Sequence, residues 1–514
     1  MLAYIGRRLG ALIIILFGSS FLLYNLDAYS ADPTEGLRTS TDPRAHQQLL
    51  SLIRTLHLDV PPPARYFMWL KGVLGVFTGH FTLGLTRDQN QVSTYISHAI
   101  PVTIRLVTLS TVLAILFGIG LGIISALRQY SRFDYAMTFF AFLMYSLPIF
   151  WVAVLLKAYL AISFNNFLVN GTIAPLWIVS AAIVSGVFWA ALISGTRQKV
   201  LMIFAIAGSA TTVFLTLLSL TKWFTHPGLG PIMMVALGLG FAFGVTYLST
   251  GLENKAALRS SVTVVLIGLV LYFPVEYLLT KFSNLLAIFV MLLVTVAIAT
   301  AVGSGFAKID RRPVIRTSIF ASLFVGFLFI IDKLMKTWVP YVNSDAIHQR
   351  PIPTIGQAND LLPEGNFWFS FLDIVLHLAL PTIALILISM AGYIRYSRGT
   401  MLEVLNQDYI RTARAKGLSE RTVVMRHAFR NTLIPITTIV VVDIAGIIGG
   451  AIITERVFGW RGMGTLFNTA INSYDLNLLM GVSLITSTMI ILANLAADLA
   501  YSALDPRIRV VGKK

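Results

Sequence analysis

Apolar residues recur along this chain in runs of about twenty, separated by short polar breaks. At 1.5 Å per helical residue such a run matches a bilayer core about 30 Å thick, so each predicts a membrane-spanning helix. Twelve spans are predicted, near 9–27, 101–127, 136–162, 175–194, 200–220, 230–251, 261–280, 285–304, 316–332, 371–392, 433–454 and 476–501. Two interruptions are longer and more polar than the rest. One follows the first span, residues 28–99, and one lies between the tenth and eleventh, residues 395–433. The fold class expected is an all-α polytopic membrane protein of about 12 transmembrane helices.

Composition excludes a soluble globule, because 56% of the residues are hydrophobic and only 12% are charged. The formal net charge of +16 raises nucleic acid as a partner, but in a membrane protein basic residues belong first to cytoplasmic loops. Placing the N-terminus inside puts 24 Lys and Arg on the cytoplasmic side, including Arg7, Arg8, Lys308 to Arg316 and the tail Arg507 to Lys514, against 13 outside. Arg105 and Lys157 fall within spans. This asymmetry predicts cytoplasmic N- and C-termini. The first apolar run, with Ala28-Tyr29-Ser30 after it, has the outline of a signal peptide but is long for one, and is expected to stay as a span. No cysteine is present, so disulfides and thiolate sites are excluded.

The polar stretch Gln407 to Pro435, QDYIRTARAKGLSERTVVMRHAFRNTLIP, is patterned. Asp408 is expected to cap a short helix over Tyr409 to Lys416, Gly417 to stop it, and Ser419 to cap a second helix running towards Asn431. Ala413 and Ala415 beside Arg411 and Arg414 would let a partner's backbone approach closely. Composition alone favours a solvated loop held at anionic lipid headgroups.

The full string resembles the cytoplasmic coupling (EAA) loop of transmembrane subunits in the oligopeptide and dipeptide branch of ABC importers, with R-T-A-R-A-K-G in place of E-A-A-x-x-x-G. By that resemblance Arg411, Thr412 and Ala413 take the EAA positions, Gly417 is the family glycine, and Asp408 to Leu418 (with Tyr409, Arg414, Ala415 and Lys416) couple to a separate ATPase. YIGRRLGALIIILFGSSFLLYNL, LIRTLHLDVPPPARYFMWLKGVLG and IPVTIRLVTLSTVLAILFGIGLGIISAL near the start, and ITERVFGWRGMGTLF and ALDPRIR near the end, are similar to the same family. The resemblance covers roughly 1–165 and 350–510 and implies a type I ABC importer permease core.

It also implies an organisation. Residues 1–27 are the first span, 28–99 an external soluble segment, 100–165 the first part of the core, and 351–514 the second part with its coupling loop at 395–433. Between them, 166–350 is expected to be an insert of six spans, because Ile352-Pro353-Thr354-Ile355-Gly356 arrives about 185 residues later than in the family.

No G-x-x-x-x-G-K-[ST] or H-E-x-x-H occurs, and no catalytic constellation is proposed. An ionisable group in mid-span costs about 2.5–3.5 kcal/mol on insertion scales, so it faces a cavity or a partner. Asp443, where the family often has Gln, is the strongest pathway candidate, equally readable as an internally bonded Asp. His377 is a second, for which a hydrogen-bonded interior histidine is the favoured reading. Glu276 can bond within the insert, and Gly446, Gly449 and Gly450 suit close helix packing. Phe458, Trp460, Arg461, Gly462 and Gly464 resemble the family's F-x-W-P-G-L-G at the outer mouth, with Arg461 replacing Pro.

The function implied is the permease of a bacterial cytoplasmic-membrane importer of peptides. Its partners would be a homologous permease, two ATPase subunits or domains carrying ATP and Mg, an extracytoplasmic substrate-binding protein, and membrane lipids, with no nucleic acid. Import of nickel or another small solute, and a self-contained secondary transporter of twelve spans, stay open.

Overall fold

The computed structural model describes residues 2–30, 32–193, 196–307, 311–363 and 365–504; Lys308 and the tail Arg507 to Lys514 lie outside them. Among the described residues the regular structure is helical, with a single isolated bridge between Leu85 and Gln91. Among the described residues ten helices are long and apolar enough to cross a membrane, or eleven when Lys255–Val270 and Tyr272–Lys281, bent by 60°, are taken as one span. The span expected at 433–454 is the helix Phe429–Gly449, ended by Gly450 at φ +81.

Three spans differ from their expected outlines. The third is broken between Arg132–Ser146 and Ile149–Leu156, because Pro148 drives Leu147 into extended backbone. The seventh bends at Leu271, because Pro274 offers no N–H and its ring collides with the carbonyl four residues back. The ninth does not end at 332; the helix runs Arg311–Val342, since Asp332 and Lys336 find polar partners inside the chain.

The chain divides into two compact units. The first holds Met1–Ala158, Thr354–Gln357 and Leu378–Lys514. Its frame is a set of long helices: Leu2–Ser30, Val92–Leu127, the larger part of Phe367–Leu405, Phe429–Gly449 and Leu476–Leu504. Residues 35–78 form four short helices beside the end of the first. Tyr24, Tyr66 and Trp69 pack ring against ring there, and the Trp69 Nε1 donates to the Leu83 carbonyl at 3.1 Å. The Arg87 amide donates to Asp475 at 2.7 Å and the Asn477 side chain to the Leu85 carbonyl at 2.8 Å, tying this segment to the start of the last helix.

The second unit holds Tyr159–Pro353 and Ala358–His377. Gly238 and Gly268 bring two helices against Val325 of a third. Asp332 accepts from the amides of Leu229 and Gly230 and from the Tyr272 hydroxyl. Lys336 pairs with Glu276 at 2.6 Å, so the intramembrane carboxylate of the insert bonds within it. Asn165 donates to the Ile352 carbonyl at 2.9 Å and accepts from the Ile352 amide at 3.1 Å, pinning the unit's entry to its exit.

Within the first unit, helices Val92–Leu127 and Phe367–Leu405 meet backbone to backbone. A Cβ at Gly118 would strike Tyr393, and one at Gly122 would strike Ser397 and the Ile394 carbonyl, whereas Gly120 faces open space. Overpacking of this kind costs about 1–3 kcal/mol. Gly122→Val is therefore expected to lower the thermal unfolding midpoint of the purified chain in detergent, with Gly120→Val unchanged. Equal midpoints for the two would show that the helices are not in contact there.

Candidate functional site

The patterned polar stretch folds as a short helix, Asp408–Ala415, between the ends of three long ones. Gln407 rather than Asp408 is its N-cap, in extended backbone, and Asp408 occupies the first helical position, where a negative charge suits the helix dipole. Gly417, at φ +74, reverses the chain as expected of a helix stop. Ser419 caps the next helix by accepting from the Thr422 amide. That helix does not stop near Asn431; a short helical turn, a π-helical turn Val423–Ala428 and the helix Phe429–Gly449 follow one another without a loop.

Burial corrects one sequence expectation. Ala413, read as a position for a partner's close approach, is only 7% exposed and points into its own chain. With Ile410 it packs on Ile123 and Ala126 of one long helix, Met401 of another, and Val423, Val424 and Ala428 of the π-turn. Tyr409, Arg411, Thr412, Arg414, Ala415, Lys416, Gly417 and Leu418 are exposed. Arg414 grips Glu420 through two nitrogens at 3.2 and 2.7 Å, which holds the Glu420 carboxyl below the usual carboxylate range. The Asn431 amide donates to the Tyr409 hydroxyl at 3.0 Å. The helix is thus seated by its own apolar face and presents a basic face.

Under this seat lies an ion pair that the sequence reading did not anticipate. Arg398 Nε donates to Asp134 Oδ1 at 2.6 Å and a second guanidinium nitrogen to Oδ2 at 2.9 Å. The Ser125 hydroxyl and the Tyr130 amide donate to the same carboxylate. Chiefly because of the Arg398 bond, the Asp134 carboxyl is held down to about 2.

At the opposite end of the same unit the chain after Gly450 folds over a buried glutamate. Glu455, fully buried, accepts from the Thr103 hydroxyl at 2.9 Å and the Thr465 amide at 2.7 Å, and the Met463 amide donates to Thr103 at 2.7 Å. Gly462 and Gly464 lie where a Cβ would strike Glu455 and Ile452 respectively. Phe458 and Trp460 are buried, with Lys157 over the first ring at 5.1 Å and Arg105 over the second at 5.5 Å; Arg461 is exposed. The signal for Glu455 was present in TERVF, but only the fold shows what it holds.

The two pathway candidates fall in different units. Asp443 lies on an exposed face of Phe429–Gly449 and accepts a hydrogen bond from Tyr393 of the neighbouring helix. His377 belongs to the second unit, buried, its Nδ1 against the Asp373 carbonyl at 2.8 Å, which corrects its place among the pathway residues in favour of an interior histidine. Among the described residues no three His, Asp or Glu converge as a metal site.

The family described as "Binding-protein-dependent transport system inner membrane component" matches residues 265–510, starting inside the expected insert. The chain is similar to the oligopeptide transport system permease protein OppB of Mycobacterium tuberculosis, 42% identical over 146 residues, 28% of this chain and 45% of that protein. It is similar to AppB, an oligopeptide transport system permease protein of Bacillus subtilis, 43% identical over 143 residues, 28% and 45%. The dipeptide transport system permease protein DppB of Escherichia coli is 36% identical over 229 residues, 41% of this chain and 67% of that protein. The chain thus spans less than half the length of the first two relatives.

The Asp134 pair carries a pH dependence whose sign follows from its lowered value. The stabilisation is fully present above the unfolded carboxylate's pKa of about 3.9 and is lost as pH falls towards about 2. Asp134→Asn is expected to destabilise the chain by about 1–3 kcal/mol between pH 5 and 8, with the difference from the parent shrinking below pH 4. Unfolding midpoints across pH check this; a constant difference down to pH 2 would contradict it.

Proposed function

We propose a function for a chain that belongs to the family of binding-protein-dependent transport system inner membrane components, as a permease subunit of the peptide ABC importer type. It forms, with a homologous permease, the path by which peptides enter across a bacterial cytoplasmic membrane. Two ATPase subunits or domains, holding ATP and Mg, dock on the cytoplasmic side, and an extracytoplasmic binding protein delivers the substrate. The observation that carries this reading is the helix Asp408–Ala415, anchored through Ile410 and Ala413 and exposed on its basic face.

A helix seated in this way transmits force. Displacement of its exposed face by closing ATPases moves Ile410 and Ala413, and with them the ends of the three long helices that build their pocket. The glycine contact at Gly118 and Gly122 keeps two of those helices together, and Asp134 of the adjoining helix Arg132–Ser146 binds Ser125 of one and Arg398 of the other, so they move as one body. The third, Phe429–Gly449, joins the π-turn directly and carries Asp443. A carboxylate on an exposed mid-span face is too costly against lipid, so Asp443 faces the partner permease or the aqueous path. The chain itself performs no covalent step; ATP hydrolysis belongs to its partners.

Docking is tested by two alanines on opposite faces. Ala415→Trp, on the exposed face, is expected to leave the chain folded and to cut substrate-stimulated ATP hydrolysis by the reconstituted complex at least tenfold. Ala413→Trp, on the buried face, is expected to lower the yield of folded chain. Normal stimulated hydrolysis by Ala415→Trp would remove the docking assignment. For the path, Asp443→Asn is expected to change the rate of peptide uptake, or its pH profile, at unchanged assembly; identical uptake from pH 5.5 to 8 would make Asp443 a structural group bonded to Tyr393.

A further inference from the structure

Where the helix Leu2–Ser30 ends, away from the coupling segment, a cavity of about 680 Å³ opens among residues 24–38, 53–65 and 474–477. That volume lies within the range of small-molecule sites. Asp27, Asp32, Glu35 and Asp59 line it together with Arg38 and Arg65. Asp32 and Arg38 approach each other at 3.8 Å.

Arg65 is placed differently. It is 8% exposed, its Nε has no hydrogen-bond partner, and among the described residues it makes no ion pair. Its neighbour is the neutral, buried Tyr24: the guanidinium carbon stands 5.9 Å from the centre of that ring and acts on its hydroxyl, which offers no counter-charge. A buried guanidinium without a counter-charge is unfavourable until an anion reaches it. The same cavity offers Asp27, Glu35 and Asp59 to a cation. One small molecule satisfies both only if it carries both charges.

We propose that this cavity binds a small zwitterion, its anionic group at Arg65 and its ammonium among Asp27, Glu35 and Asp59. Two sources supply that chemistry. A free short peptide brings a carboxylate and an α-ammonium from the external medium. An ethanolamine phospholipid brings a phosphate and an ammonium from the outer leaflet, and the exposed Leu22, Leu26 and Tyr29 on the same helix end would meet its chains. Which side the cavity faces rests on the orientation proposed above. In either case the site lies where the end of the first helix and the segment after it meet residues 474–477, and is separate from the helix that meets the ATPases.

The test uses the full chain in nanodiscs. In phosphatidylglycerol discs, whose lipid carries no ammonium, trialanine is titrated by calorimetry, with N-acetyl-trialanine amide, which lacks both charges, as the control. In discs that also contain palmitoyl-oleoyl-phosphatidylethanolamine, the lipid retained after transfer to detergent is counted by native mass spectrometry. Binding of trialanine identifies the soluble source, and retention of the ethanolamine lipid the membrane source. Arg65→Gln is expected to lower affinity or retention at least tenfold, and Glu35→Gln with Asp59→Asn, both exposed positions, at least threefold. Because Arg65 is buried and its variant can fail to fold, the double variant decides alone in that case. Absence of binding by the parent chain in both arms, or equal binding by the folded double variant, overturns the proposal. Neither readout uses ATP hydrolysis or uptake, so such a failure leaves the coupling reading standing.

Discussion

The carboxylate of Asp134 collects four donors from three parts of the chain: the hydroxyl of Ser125, the amide of Tyr130, and two nitrogens of Arg398, which lies 264 positions away. Every other feature of that end depends on this meeting. The glycine contact at Gly118 and Gly122 sets how close two helices come, but a smooth contact leaves them free to slide. The Asp134 carboxylate, on the next helix Arg132–Ser146, removes that freedom by holding Ser125 of one helix and the guanidinium plane of Arg398 of the other at a single point. Only then do Ile123, Ala126 and Met401 stand where Ile410 and Ala413 can seat on them. Loss of one partner would leave a buried charge, so the arrangement resists partial disassembly.

Much of this was legible in the sequence where the signal is local. Apolar runs gave the helices, Gly417 marked the end of the short helix through its backbone freedom, and Ser419 marked the start of the next through its side-chain oxygen. Signals that need a distant partner were not legible. The inward turn of Ala413 is fixed by Met401 and Val423, which no pattern within eight helical residues identifies. Glu455 reads as one charge among several until Thr103, 352 positions earlier, is placed beside it. The N-cap was misplaced by one residue because Asp is a good cap and equally a good first-turn residue, and the chain uses it as the second.

In the second unit the same limit shaped the ninth and seventh spans. Charged residues at Asp332, Lys333 and Lys336 end a hydropathy run, yet the helix continues because the Asp332 carboxylate takes the amides that open another helix, and Lys336 lies between Glu276 and Tyr272. Hydropathy averages cannot register such internal neutralisation. The bend at Leu271, by contrast, was written in Pro274, and only its sharpness required the fold.

The π-turn Val423–Ala428 has a consequence for direction rather than for distance. A turn whose bonds reach five residues back instead of four holds one extra residue, and at 3.6 residues per turn that residue is worth about 100° of azimuth. Every side chain above it is aimed by that increment. The compass bearing of Asp443 relative to the short basic helix is therefore set some fifteen residues below it, by the six residues that lie between the two in the chain.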